Sequence, residues 1–134
     1  MKTYIQKVKF LDIVNVEFSV VWSKCDTDLK SLAKEVLKTN GHTNLGQLAA
    51  SAFDKYLARA CAVWKDRCVC LFIPMRDRSM LAHELDHAAK AICGFNGIPL
   101  DSEAATLIFQ YIYDLAIDWM FPVNRKTKPK GKRK

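Results

Sequence analysis

The chain has 134 residues, half of them apolar and 26% charged, a composition that suits one globular domain and excludes a disordered chain or two separate cores. No apolar run is long enough to span a bilayer, and Met1-Lys2-Thr3-Tyr4 leads into Gln6, Lys7, Lys9 and Asp12 rather than an unbroken signal-peptide core. The net charge of +7 is localised: the last ten residues, beginning at Arg125 and ending at Lys134, hold seven of the 21 Lys and Arg and no acid, so the other 124 residues balance 14 basic against 14 acidic. Residues 1–124 are therefore expected to form a neutral domain. Residues 125–134 are expected to be a disordered basic tail that solubilises the chain or touches nucleic acid or an acidic partner. Five cysteines without a C-x-x-C pair, behind no leader, read as free thiols in a reducing compartment.

Val14, Val16, Phe18, Val20 and Trp22 alternate with Asn15, Glu17, Ser19, Val21 and Ser23. This period of two predicts a half-buried strand over 13–22, with 2–10 as a weaker partner. Leu29, Leu32, Ala33, Val36 and Leu37 recur at helical spacing between a cap at Asp26 or Thr27 and a stop at Asn40-Gly41. A second helix follows through Leu45, Leu48, Ala49, Ala52, Phe53 and Tyr56, with Asn44 as its cap. The runs 60–64 and 67–73, on either side of Lys65-Asp66, predict a hairpin that Pro74 ends. Cys68 and Cys70 fall on one face of its second strand. Ser79 is the expected cap of a helix to Cys93, stopped at Gly94. After a loop from Phe95 to Leu100, Asp101 or Ser102 caps a last helix to about Met120, closed by Pro122. Gln110, Asp114 and Asp118 share a stripe of this helix that runs back through Thr106 to Glu103 and reads, for the two aspartates, as a solvated face. The order of elements predicts an α+β domain in which helix 79–93 has the sheet on one side and the Glu103 helix on the other.

One segment carries chemistry. His83-Glu84-Leu85-Asp86-His87 is H-E-x-x-H. Residues i and i+4 stand one above the other on a helix, so both imidazoles can converge on one ion, and zinc accepts such nitrogens tetrahedrally. Glu84 projects about 100° around the helix from His83, where it can take a proton from a water without being a ligand. With three histidines and four glutamates in the chain, random order would give about 0.002 such matches, and the motif falls on an independently predicted helix, as its geometry requires. Asp86 stands between the two histidines in sequence but points away from their face. A catalytic zinc site needs a third protein ligand. His42 lies in a turn far upstream and reads as surface. Downstream, Glu103 in the first turn of the last helix is favoured by the helix dipole, and Asp101 is the alternative.

His83-Glu-Leu-Asp-His-Ala-Ala, then Gly97-Ile98-Pro99-Leu100, then Asp101-Ser102-Glu103-Ala104-Ala105, resembles small zincin-type proteins encoded by tailed bacteriophages, which are similar to gluzincins. The match covers roughly residues 60–115. The resemblance implies a minimal zincin-like domain with His83, His87 and Glu103 as Zn2+ ligands and Glu84 as general base. It also implies hydrolysis of a peptide or of a phage or host protein, in the host cytoplasm or the virion, with other virion proteins as further partners. Where larger gluzincins place an acid one turn beyond the ligand glutamate, this chain has Leu107. The strand at 67–73 is expected to lie along an extended substrate by β-addition. Tyr56, Tyr111 and Tyr113 read as packing residues rather than oxyanion donors.

Two rivals share the motif. Cys68-x-Cys70, twelve residues, then His83-x₃-His87 nearly spells a C₂H₂ finger, but one residue between the cysteines is too few. A non-catalytic virion or assembly protein that keeps a zincin fold, its basic tail near packaged nucleic acid, fits the small size and Leu107. Intact Glu84 favours the enzyme, because metal binding alone does not need it.

Overall fold

A computed structural model describes residues 3–40 and 44–122. These form four strands and four helices: β1 (Tyr4–Leu11), β2 (Val16–Ser23), α1 (Leu29–Asn40), α2 (Asn44–Tyr56), β3 (Cys61–Lys65), β4 (Cys68–Ile73), α3 (Arg78–Asn96) and α4 (Glu103–Met120). His42 and the basic tail lie outside the described residues, so neither expectation about them is addressed. The α+β class holds, and no helix among the described residues is long and apolar enough to cross a membrane.

The sheet has the order β1-β2-β4-β3. The pairs β1–β2 and β3–β4 are antiparallel hairpins, and β2 and β4 join them in parallel, with Phe18 opposite Val69 and Val20 opposite Leu71. Alternation along the strands sends two sets of side chains to two cores. Val16, Phe18, Val20, Trp22, Val69, Leu71 and Ile73 pack with Leu81, Leu85, Ala88 and Ile92 of α3 and with Ile112, Ala116 and Met120 of α4. Tyr4, Val21, Cys61, Val63, Cys70 and Phe72 pack with Leu29, Leu32, Ala33 and Val36 of α1 and with Ala49 of α2. Two helices thus pack on each face, leaving the middle of β1 exposed. The expectation that α3 separates the sheet from α4 is corrected: both helices rest on the same core, and Trp119 of α4 stacks on Phe18 of β2 with ring centroids 5.9 Å apart.

The helix ends are set by side chains other than some of those expected. Asp28, not Asp26 or Thr27, caps α1, accepting from Ser31 N–H at 2.7 Å. Asp77, not Ser79, caps α3, accepting from Met80 N–H at 2.9 Å. Gly94 remains helical, and α3 stops at Gly97, which takes φ 64° in the left-handed region that a residue without Cβ adopts at least cost. Ser102 caps α4 through Ala105 N–H at 3.2 Å.

The β3–β4 turn is Asp66-Arg67, both with positive φ, the two-residue geometry that matches strand twist. Arg67 repays its strained backbone by tying three elements together. Its guanidinium donates to the carbonyls of Asn15 at 2.7 Å, Val14 at 2.6 Å and Phe95 at 3.1 Å, and to Asn96 Oδ1 at 3.0 Å.

Candidate metal centre

Helix α3 positions the motif. Leu81, Leu85, Ala88 and Ile92 lock one face of the helix into the sheet core. Helical periodicity then leaves His83 and His87 on the opposite, exposed face. Their ring centroids are 4.9 Å apart with an interplanar angle of 84°, so the two imidazoles share one open surface. Asp86 is turned aside into an i,i+4 pair with Lys90 at 3.0 Å, in keeping with its expected direction.

Glu84 has another environment. It is 6% exposed and, with Ser19 and Ser23, one of three polar side chains buried among the described residues. Its flank of α3 packs towards β3. Burial raises its proton affinity above the ordinary carboxyl value, while the fields of His83 and His87 and a hydrogen bond from the Ala62 backbone pull the other way. A carboxyl with raised affinity beside two imidazoles, but not on their face, is suited to accept and return a proton.

The substrate-strand expectation needs correction. β4 lies between β2 and β3 and has no free edge; β3 is the outer strand on this side. Sequence alternation shows which residues face the core but not which strand ends the sheet. Beside β3 runs a groove of about 270 Å³ lined by Leu48, Ser51, Ala52 and Lys55 of α2 and by Ala62, Val63 and Trp64. Ala62 thus touches both the groove and Glu84. No side-chain pattern signals its role, because only a backbone N–H is used.

The histidine pair fits zinc in ligand type and placement. Glu103 and Asp101 are both exposed and are not brought to it. Glu103 opens α4, and Ala105, two residues on, lines a cavity with Asp86, Ala89, Lys90 and Cys93 of α3. Among the described residues no three of His, Cys, Asp and Glu gather to hold one ion. Leu107 is 54% exposed. Tyr111, expected to pack, is 49% exposed, whereas Tyr113 stacks on Phe109 at 5.9 Å. The finger-like reading is excluded by topology, since Cys70 is buried in the α1/α2 core on the opposite face of the sheet from α3. Compared with protein-family models, with curated proteins and with solved structures, the chain matches none.

Proposed function

We propose that the chain is a zinc-dependent metallopeptidase-like protein of the small phage zincin type, with His83 and His87 as metal ligands, Glu103 as a third ligand that joins them only when metal binds, and Glu84 as general base. The observation that carries this reading is the division of labour along one turn of α3. Two histidines share an exposed face, and the glutamate between them is buried with raised proton affinity. Zinc, when bound, supplies a Lewis acid and a water of near-neutral pKa. Glu84 takes the proton from the attacking water and returns it to the leaving amine. An extended peptide adds to the free edge of β3, whose Ala62 already reaches Glu84.

That no third ligand-type residue gathers with the histidine pair among the described residues favours a second reading, a virion or assembly protein that keeps the fold without turnover. One experiment separates the two. Zinc content and peptide cleavage are measured on wild type, His83→Ala, His87→Ala, Glu103→Gln and Glu84→Gln. The enzyme reading expects about one zinc per chain, lost in the histidine variants, weakened in Glu103→Gln and kept in Glu84→Gln without cleavage. Zinc-loaded wild type that cleaves no peptide or phage protein, together with fully infectious phage carrying Glu84→Gln, overturns it. Unchanged zinc content in both histidine variants overturns the ligand assignment.

A further inference from the structure

The opposite edge of the sheet, formed by β1, has no further strand beside it among the described residues. Of the four strands, β1 alone has its whole middle open: Tyr4 and Leu11 are buried, while Gln6, Lys7, Val8, Lys9 and Phe10 are all exposed. A period of two sends Val8 and Phe10 to one face and Lys7 and Lys9 to the other. Both faces are therefore uncovered, and among the described residues β2 is the one strand paired with β1. Val8 and Phe10 are 51% and 52% exposed. Neither lysine has an ion pair among the described residues.

Lysines on an outer strand guard it against self-pairing. That accounts for Lys7 and Lys9 but not for two large apolar side chains half exposed on the other face of the same strand. A second copy of the chain would set lysine against lysine in the antiparallel registers that superpose the bare segments, which is destabilising. The chain's own segment 125–134 carries the same sign as the lysines. A strand with carboxylates on one face and apolar residues on the other satisfies both faces at once.

We propose that β1 is a docking strand for an extended acidic segment of a partner protein. The segment pairs its backbone with the free edge, sets Asp or Glu against Lys7 and Lys9, and lays apolar residues over Val8 and Phe10. The site is independent of the metal centre, because β2 and β4 separate β1 from β3.

Fluorescence anisotropy on the full chain tests this with synthetic peptides of eight residues, the length of β1. The first alternates Glu with Val, the second has Lys in place of Glu, and the third is the Glu peptide with alternate amides N-methylated. The Glu peptide is expected to bind about tenfold more tightly than the other two, the scale of two exposed ion pairs or of lost edge hydrogen bonds. Lys7→Glu/Lys9→Glu should reverse the preference, and the milder Lys7→Gln/Lys9→Gln should abolish it. The proposal is overturned by absent binding of the Glu peptide, equal binding of the Glu and Lys peptides, or undiminished binding of the methylated one. It is equally overturned by a wild-type dimer in sedimentation that Val8→Asp/Phe10→Asp dissolves, since a second copy would then be the occupant.

Discussion

Burial raises the Glu84 carboxyl above its ordinary proton affinity, so its contribution to stability is complete at acid pH and declines as pH rises through the folded value. Above that value the fold carries a charge that it would hold more readily as a neutral group. Metal-free Glu84→Gln should therefore melt above wild type at pH 7 in calorimetry; a lower melting temperature would show that the hydrogen bond from Ala62 outweighs desolvation. The same substitution should cost about 10²–10⁴-fold in peptide cleavage, the usual share of general-base catalysis. Two thiols behave in parallel: burial pushes Cys61 and Cys70 from 9.0 up to about 12. The unfolded chain ionises them first, so their contribution is present below pH 9 and lost between there and about 12. Alkylation of the native protein followed by mass spectrometry should label exposed Cys25 first and Cys70 only on unfolding. His83, His87 and Glu84 were legible in the sequence because helical periodicity fixes which side chains share a face. Ala62 was not, since its part is played by a main-chain donor.

At the scale of elements, every strand and helix was expected from its period, its composition or its caps, and the errors fell at the ends. Ser79 and Asp77 are both plausible caps in a sequence, and the choice turned on one carboxylate reaching Met80 N–H. Gly94 and Gly97 are both plausible stops, and only the second takes positive φ. The role of Arg67 was invisible, because its partners come from the β1–β2 turn and the end of α3. Arg67→Ala should cost about 2–4 kcal/mol in urea denaturation, as charged donors are removed from several carbonyls at once. Lys should not restore it, lacking the planar fork that serves four acceptors. A loss below 1 kcal/mol, about the value of a single ordinary hydrogen bond, would show that water replaces the clasp.

For the molecule as a whole, the three-layer arrangement and the outer position of β3 could not be read from the chain, because periodicity carries no information on strand order. Removing 125–134 should leave the melting temperature unchanged and weaken any salt-sensitive binding to nucleic acid; a truncated chain that fails to fold would show that the segment packs. The parallel seam between β2 and β4 has a kinetic consequence. Each hairpin closes locally, but Phe18 meets Val69 only after two helices and a strand have been gathered between them. Closing that long loop should limit the folding rate. Val20→Ala and Leu71→Ala should slow refolding in stopped-flow chevrons, whereas effects confined to the unfolding limb would place the seam after the barrier. During synthesis the first hairpin leaves the ribosome long before its partner, with the inner edge of β2 unsatisfied, and that interval is when the chain is most open to mispairing with its neighbours.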